Sequence, residues 1–347
     1  MKVHITGSPN ANSYLQELLN YSRLDHVYGR LEEVANDCAI VLFQWPEELI
    51  DWSYPTQIEL NNLGRIIIEL KVNKKVKMAG FVHNLKPHDY KGKNHDLLFE
   101  MIYGCFDLFF HFGNYSKELL SIKYPAAQHV YINHPVYRKT LKVYNQQEAR
   151  LKLKLLDGEK IILVPGKVRN RDEQMLILKS SRILRRRNVK LVVLQMDMQI
   201  IKPRFKGYYT LKWLLKLKYL NKLIINFFKN QNIFLTKRLS NDELSLWLSA
   251  CDGIWIARKD ILNSGVFYLA LTYKKPALGP GDGNLKEHLI QYNFPLYSNS
   301  KNENLENGFN ELLSLIEKDI VIKSNDFEPQ KIASIFDYHL DELIKVK

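Results

Sequence analysis

The sequence has 347 residues, which is long for one hydrophobic core and sufficient for two domains. Hydrophobic residues make up 46% of the chain and charged residues 25%, which is the composition of a folded soluble protein. No run of about 18 apolar residues is free of charge, and the first residues lack the pattern of a secretory signal. We therefore expect no transmembrane helix and a cytoplasmic location.

The three cysteines, Cys38, Cys105 and Cys251, are far apart, and none lies in a Cys-x-x-Cys motif. Disulfide frameworks and metal sites need cysteines in a closer pattern. We therefore expect these three to be small core residues in a reducing compartment.

The formal net charge is +13, and much of it lies in one segment, residues 202–229. This segment contains eight Lys and Arg residues and no acidic residue, with aromatic and aliphatic side chains among them. Basic proteins bind phosphates, which can belong to nucleic acid, to anionic lipid or to a nucleotide substrate. One interpretation is a patch that attaches to a membrane surface. The alternative is that Trp213, Leu217, Leu220 and Ile224, at helical spacing, pack on a sheet while the lysines are solvated.

In the first half of the chain, short apolar runs alternate with helical patterns. After an opening strand in residues 1–7, we predict strands at Ala39–Phe43, Val76–Val82, Asp107–Phe112 and His129–Ile132. Residues 66–71 lie in a helical context, and another helix opens near Ser116. Strands separated by helices indicate βαβ units and a parallel sheet.

The second half repeats this design. We predict strands at Lys160–Val164, Val189–Leu194, Ile233–Leu235, Gly253–Ala257 and Lys275–Leu278, and helices at Asp172–Arg186, at Leu244–Ala250 and from residues 263–265 to about Tyr273. Ser240 and Glu243 have the spacing of a capping box before the second of these helices.

The predicted fold class is therefore α/β, with two Rossmann-like domains whose parallel sheets face each other across a cleft. We place the first domain at residues 1–148 and the second at residues 149–326. The last segment, residues 327–347, is predicted to be a helix that packs back on the first domain.

In open α/β sheets, ligands bind beyond the carboxyl ends of the strands, so the residues there are the candidates for function. Gly166, Lys167, Arg169 and Arg171 follow the strand at residues 160–164 and precede a helix. Glycine lets the backbone approach a ligand, and cations beside the free amides of a helix N-terminus suit a diphosphate. The alternative is a solvated basic loop.

Ser264 and Gly265 follow the strand at residues 253–257 and open the next helix. A hydroxyl and exposed amides at such a position can bind a second face of a phosphate group. Taken alone, the two residues also fit an ordinary helix cap. Two such loops, each after a strand of the same domain, together favour a diphosphate site.

The first half has its own polar side chains at the ends of its strands. These are Trp45, Glu47, His83, Asn84, His88, Asp89 and His134. A lone histidine is more often structural, but several at consecutive strand ends favour a polar wall of a cleft. We take His83 as the candidate catalytic residue, because the pKa of histidine lies near neutral pH, and the others as candidate ligand contacts.

Several common site motifs do not occur in the sequence. It has no pair of histidines at zinc spacing on a helix, no Gly-x-Ser-x-Gly elbow and no Walker loop. It has no Gly-x-Gly-x-x-Gly, which disfavours an ordinary dinucleotide oxidoreductase. It also has no Asp-x-Asp, the usual carboxylate pair that holds a metal on a nucleotide-sugar diphosphate. We therefore expect neither a metal nor a cofactor.

Short segments spread over most of the chain carry a family resemblance. They are Asn12–Tyr14, Phe43–Leu49, Val82–His88, Val164–Arg169, Leu239–Leu244, Ala250–Asp252, Leu262–Gly265 and Lys275–Pro276. Taken in order, they resemble bacterial GT-B glycosyltransferases of the type that builds exopolysaccharide and lipopolysaccharide. The most specific match is Val82–His88, which is similar to a His-Asn-Leu-x-Pro-His segment of that family.

The resemblance implies a metal-independent enzyme that moves a hexosyl-type sugar from a nucleotide-diphosphate sugar to a saccharide or lipid-linked saccharide acceptor. It further implies a retaining outcome and a role in cell-surface polysaccharide synthesis. His83 would be a general base in an inverting enzyme and a hydroxyl-binding group in a retaining one. The other polar residues of the first half would contact the acceptor or the sugar: Trp45, Glu47, Asn84, His88, Asp89 and His134. A lipid-linked acceptor would suit attachment of residues 202–229 to the inner face of the plasma membrane.

The sequence also departs from this family. Relatives often have two glutamates that bind the ribose and the sugar of the donor, whereas the aligned positions here hold Ile261 and Leu269. Asp172 replaces a lysine that often follows the glycine-arginine loop. An inactive homologue that binds a sugar or nucleotide is therefore an alternative. A nucleic-acid-binding protein is a further alternative suggested by the charge, although no RNA or DNA motif occurs.

Overall fold

A computed structural model describes residues 2–9, 13–87, 90–196, 219, 232–259, 261–298 and 302–345. Nearly all of the basic segment 202–229 lies outside these ranges, so both interpretations of it stay predictions. His88 and Asp89 lie outside them as well.

The first half folds around a parallel sheet. Its strands are β1 (Lys2–Thr6), β2 (Asp25–Gly29), β3 (Ile40–Phe43), β4 (Lys77–Phe81), β5 (Leu108–His111) and β6 (Gln128–Tyr131), in the spatial order β2-β1-β3-β4-β5-β6. Its helices are α1 (Ser13–Leu19), α2 (Gln57–Ile68), α3 (Lys93–Cys105) and α4 (Asn114–Lys123), with short 3₁₀ turns at Leu31–Glu33 and Pro46–Ile50 and a π-helical turn at Glu69–Asn73. The middle strands β3 and β5 are buried along their whole length, which explains their continuous apolar runs.

The second half is built in the same way. Its strands are β7 (Lys160–Lys167), β8 (Val189–Gln195), β9 (Ile233–Phe234), β10 (Gly253–Trp255), β11 (Ala277–Pro280) and β12 (Leu296–Tyr297). Its helices are α5 (Gln146–Lys152), α6 (Arg171–Arg185), α7 (Asn241–Ala250), α8 (Gly265–Thr272), α9 (Gly283–Gln291), α10 (Asn302–Glu317) and α11 (Pro329–Lys345), with a 3₁₀ turn at Asn325–Phe327. The strand order β12-β11-β10-β7-β8-β9 is the Rossmann order, read from the opposite edge.

Several local predictions are confirmed. The amide of Glu243 donates to the hydroxyl of Ser240 at 3.2 Å, and the Glu243 carboxylate accepts from the Ser240 amide at 2.8 Å, as a capping box requires. Cys38, Cys105 and Cys251 are buried free thiols. Two differences concern the first half. Helix α4 begins at Asn114, and β2 is a strand that the sequence pattern did not indicate, since its residues are half-exposed and lack an apolar run.

Helix α11, at the end of the chain, lies against the first half. Phe336 packs on Phe110 and Phe81, with ring centroids 5.1 and 5.7 Å away. The buried carboxylate of Asp337 accepts from the hydroxyl of Ser22 at 2.5 Å and from the amide of Arg23 at 2.9 Å. Apolar packing and polar contacts, which include an ion pair of Arg23 with Asp341, thus join the last helix to the residues around α1.

The segment between β6 and α5 is held by one buried carboxylate. Glu17 in α1 is fully buried and accepts from the backbone amides of Arg138, Lys139 and Thr140 at 2.9 to 3.1 Å. The hydroxyl of Thr140 also donates to it, at 2.9 Å. On the other side, the amide of Tyr137 donates to the hydroxyl of Thr272 in α8. The segment that connects the two halves is therefore fixed to both.

Replacing Glu17 with Gln should destabilise the protein. A neutral amide offers one acceptor oxygen where a carboxylate now meets three backbone amides and a hydroxyl. We expect the free energy of unfolding to fall by about 3 kcal/mol, measured by urea unfolding. The exposed Glu32→Gln is the control and should stay within about 0.5 kcal/mol of the unchanged protein. Equal stability of the two variants would contradict the anchoring role of Glu17.

Candidate functional site

Each sheet contains one pair of neighbouring strands from which the chain continues towards opposite edges of the sheet. Open α/β sheets bind ligands beyond the carboxyl ends of the strands at such a place. In the second sheet it lies between β7 and β10, and in the first sheet between β1 and β3. We call these two places the second and the first switch point. The residues beyond the carboxyl ends of these four strands are the first to consider.

Gly166 and Arg258 meet at the second switch point. A methyl group on Gly166 would lie 2.8 Å from Nη2 of Arg258, so a side chain here would displace the guanidinium. Arg258 is only 8% exposed, and its Nη1 donates to the carboxylate of Glu173 at 2.8 Å. The same oxygen of Glu173 accepts from the amide of Arg169 at 2.7 Å. Arg258 is not among the site residues predicted from the sequence. Its position just beyond the end of β10 is the signal that could have identified it.

The three predicted cations, Lys167 at the end of β7 and Arg169 and Arg171 beyond it, are exposed. Arg171 is the first residue of α6, and the side chain of Asn170 caps this helix by accepting from the amide of Glu173 at 2.9 Å. Other amides of the first turn have no partner within a helix, which makes a helix N-terminus attractive to anions. The loop therefore places exposed cations beside a positive helix end.

Ser264 and Gly265 lie next to this loop. Val266, the second residue of α8, has a methyl carbon 3.7 Å from the point that a Gly166 side chain would occupy. Ser264 is 6% exposed, and its hydroxyl makes no capping hydrogen bond to α8. A side chain on Gly265 would meet no described atom within 4 Å apart from its chain neighbours. The start of α8 thus faces open space, and the two predicted phosphate loops are adjacent.

The first switch point holds a carboxyl group, Glu48. Gly7 follows β1 with φ +96°, and a methyl group on it would lie 2.1 Å from Oε1 of Glu48. Oε2 of Glu48 is buried, with no hydrogen-bond partner among the described residues. Burial raises the pKa of Glu48 from 4.5 to about 7, while a backbone hydrogen bond from Ser8 acts in the opposite direction. Glu47, the preceding residue and the one predicted from the sequence, is only 4% exposed.

His83 lies just beyond the end of β4 among aromatic rings. Its ring stacks on Trp45 with centroids 4.3 Å apart, and its Nε2 is 3.4 Å from the hydroxyl of Tyr14. His83, Trp45 and the following residue, Asn84, are all half-buried. The structure therefore brings these three predicted residues together at the carboxyl edge of the first sheet.

His134 has a different environment from the polar wall that the sequence predicts. Its ring is 6% exposed and stacks on Tyr268 of α8, with centroids 4.0 Å apart and planes 3° from parallel. Nδ1 lies 2.7 Å from the carbonyl of Pro135. Burial lowers the pKa of His134 to about 3, so the ring is neutral and packs between the halves.

The two candidate regions face each other. The side-chain amide of Asn263, directly before Ser264, donates to the carbonyls of Val82 and His83 at 2.9 and 3.0 Å. The loop that opens α8 in the second half therefore touches the strand end that carries His83 in the first half. The cleft at this point is lined from both halves.

Two observations apply to the described part of the chain. None of its His, Cys, Asp and Glu side chains form a group of three or more that is placed to hold a metal ion. Within the same ranges, every helix is too short or too polar to cross a membrane.

No protein-family model and no curated protein matches the sequence. Solved structures match over nearly the whole chain. Sucrose-phosphate synthase from Thermosynechococcus elongatus has a TM-score of 0.72 at 12% identity, with 100% of both chains covered. HepE from Anabaena, in complex with UDP, has a TM-score of 0.64 at 12% identity and the same coverage. WaaG, a glycosyltransferase involved in lipopolysaccharide biosynthesis, has a TM-score of 0.56 at 13% identity, with 98% of this chain and 95% of WaaG covered.

The chain has the GT-B fold. The predicted fold class, two Rossmann-like domains with parallel sheets, is therefore confirmed. At these identities the likeness concerns the GT-B architecture, and the residues of the site have to be argued from their own geometry.

Replacing Glu48 with Gln tests whether burial raises the pKa of this carboxyl group. Its pKa is higher in the folded state, so folding favours the protonated form, and stability is lost as the pH rises from 4.5 to about 7. Gln has no carboxyl group to titrate, so Glu48→Gln does not lose stability in this way. The melting temperature of Glu48→Gln relative to the unchanged protein should rise over this interval and stay constant above it. Allowing for partial exposure, we expect a gain of about 1 to 2 kcal/mol at pH 8.

The control for this measurement is Glu32→Gln, which removes an exposed carboxylate from the same half. Its melting temperature relative to the unchanged protein should not change across pH 4.5 to 8. A flat difference for Glu48→Gln as well would contradict the raised pKa.

Proposed function

We propose that the chain transfers a hexosyl-type sugar from a nucleotide-diphosphate sugar to a saccharide or lipid-linked saccharide acceptor. The observation that carries this proposal is the second switch point. There, the backbone of Gly166, the fixed guanidinium of Arg258 and the open start of α8 meet in a cleft opposite His83. The GT-B fold agrees with this assignment.

The donor diphosphate binds between the loop after β7 and the start of α8. Breaking the bond to the sugar leaves negative charge on the departing nucleoside diphosphate, and preorganised donors stabilise that charge. Lys167, Arg169 and Arg171 supply exposed cations, while the Gly265 amide and the Ser264 hydroxyl supply hydrogen bonds. We propose that these groups act without a metal ion or a cofactor.

UDP is the first nucleotide to test. The HepE structures are complexes with UDP, with UDP-glucose, and with UDP and glucose. This supports a uridine nucleotide as a probe of the present chain, whose fold covers the same length.

The acceptor binds against the first half. Trp45 and His83 form a stacked pair beside the cleft, and a sugar can pack on such rings while the imidazole bonds a hydroxyl. With a retaining outcome, His83 and Asn84 bind the acceptor. With an inverting outcome, His83 takes the hydroxyl proton. Glu48 is a further carboxyl group on this half, at the first switch point beside Gly7.

The cellular setting follows from the resemblance of the sequence to enzymes of cell-surface polysaccharide synthesis. A cytoplasmic enzyme of this kind meets its lipid-linked acceptor at the inner face of the plasma membrane. Residues 202–229 would attach it there through their eight cations.

One observation favours a second candidate, a homologue that binds the nucleotide but does not transfer sugar. Ile261 and Leu269, which stand where relatives often have glutamates, are half-buried and pack on the hydrophobic core. Neither can bond a ribose or a sugar hydroxyl. Nucleotide binding and turnover therefore have to be measured separately.

Replacing Arg169 with Glu should weaken the binding of UDP, because a cation beside the helix N-terminus becomes an anion. We expect the dissociation constant, measured by calorimetry, to rise at least tenfold. Arg186→Glu is the matched control, since it makes the same charge change on an exposed residue at the other end of α6, roughly 22 Å away. An equal effect of both variants would place the diphosphate elsewhere.

Turnover is tested by incubating the protein with UDP-, GDP- and dTDP-sugars and measuring release of the nucleoside diphosphate. The proposal predicts release with at least one donor, and a rise in melting temperature with the matching nucleotide. Thermal stabilisation without release would support the binding homologue. If neither release nor thermal stabilisation is observed, the proposed function is wrong.

A further inference from the structure

The side-chain amide of Asn263 makes hydrogen bonds to residues of both halves. Its amide nitrogen donates to the carbonyls of Val82 and His83 at 2.9 and 3.0 Å. Its oxygen accepts from the amide of Asn284 in α9 at 2.8 Å. Two donors are therefore satisfied by the first half and one acceptor by the second half, and the orientation of the Asn263 amide is fixed by this pattern.

Asn284, which holds Asn263, is itself fixed from the first half. It is fully buried, its Nδ2 donates to the hydroxyl of Ser116 at 3.0 Å, and its Oδ1 accepts from the Ser116 amide at 3.0 Å. A side chain on Gly113 would lie 2.5 Å from Cβ and Cγ of Asn284, so glycine is needed there. Asn284 is thus inserted into the first half beside the start of α4.

The Ser116 hydroxyl has two acceptors within reach of its own proton. Nδ1 of His111 is 3.1 Å away and the carbonyl of Gly113 is 3.3 Å away. Behind Ser116, Nε2 of His111 is 3.0 Å from Nδ1 of His129, and Nε2 of His129 is 3.0 Å from the carbonyl of Tyr124. The Ser116 hydroxyl therefore accepts from Asn284 and donates on its other side.

We propose that Asn263 is a positioning residue that sets the distance between the donor site at Ser264 and Gly265 and the acceptor side at His83. The inference rests on the proposed function. Asn263 precedes Ser264 in the chain and holds the backbone of His83 directly, so both sides of the reaction are tied to one side chain. Asn284 and Ser116 keep that side chain from rotating.

The consequence is a division between binding and turnover. The diphosphate loops belong to the second half alone, so UDP binds whether or not Asn263 reaches across. Transfer requires the sugar carbon and the acceptor hydroxyl to meet, and a displacement of about 1 Å can cost on the order of a hundredfold in rate. Loss of Asn263 should therefore reduce kcat and leave UDP binding in place.

The experiment compares the full chain with Asn263→Asp, Asn263→Ala and a control, Asn61→Ala. Asp keeps the size and the acceptor oxygen but loses both donors, whereas Asn61 makes one surface hydrogen bond within α2, to Gln57. Three quantities are measured: the dissociation constant of UDP, hydrogen exchange of the backbone in residues 82–87, and kcat and KM for release of UDP from UDP-glucose.

We expect both Asn263 variants to keep the UDP dissociation constant within threefold. Exchange in residues 82–87 should rise at least fivefold, and kcat should fall at least tenfold with KM within threefold. Asn61→Ala should match the unchanged protein in all three. Unchanged exchange and kcat in Asn263→Asp would overturn the inference, and so would a loss confined to UDP binding.

The proposed function can fail separately. If the unchanged protein binds no UDP and releases none from UDP-glucose, the assignment as a transferase of uridine sugars fails. Exchange in residues 82–87 then decides the contact alone: faster exchange in both Asn263 variants supports the bridge between the halves, and equal exchange overturns it.

Discussion

The relative placement of the two halves depends on one helix end that is capped from across the cleft. The amides of Asn114 and Tyr115, in the first turn of α4, donate to the carboxylate of Glu287 at 2.8 and 2.6 Å. The next amide, of Ser116, donates to Asn284. Gly113 has no side chain to cap the helix, so α9 in the second half supplies the caps that α4 lacks. Each such contact stabilises by about 1 kcal/mol, and a carboxylate also interacts favourably with the positive end of the helix.

Apolar and aromatic packing surrounds this polar junction. His134 stacks on Tyr268, and Nε2 of His288 lies 2.7 Å from the carbonyl of Phe112. One hydrophobic cluster runs through both halves, from the first sheet to α8 and α9. Domains joined by a large apolar contact move less freely than domains joined by a polar one. The junction near α4 and α9 therefore combines polar and apolar contacts, and Asn263 extends it towards the candidate site.

The sequence predicts the elements better than the contacts between them. Buried strands such as β3 and β5 carry continuous apolar runs, and the capping box before α7 is a local pattern, so both can be read directly. Strand β2 lies at the edge of its sheet, where half-exposed residues leave no such run. The bond from Asn263 to Val82 joins residues 181 positions apart, and no local pattern encodes it. Likewise, Glu47 and Glu48 look equivalent in the sequence, and only the turn at Pro46–Ile50 turns one into the core and the other towards Gly7.

The two switch points share a geometry, but their ionisable side chains have opposite charge. Each pairs a glycine with a charged side chain that occupies the space of a missing Cβ, Gly7 with Glu48 and Gly166 with Arg258. Arg258 is neutralised by Glu173, because a buried cation without a partner would be costly. The positive charge at the second switch point therefore comes from the exposed Lys167, Arg169 and Arg171, while Arg258 has a fixed geometry. Within the described residues no ion pair involves Glu48, and burial raises its pKa to about 7. The same arrangement of a glycine and a long side chain thus leaves exposed cations around one switch point and a buried carboxyl group at the other.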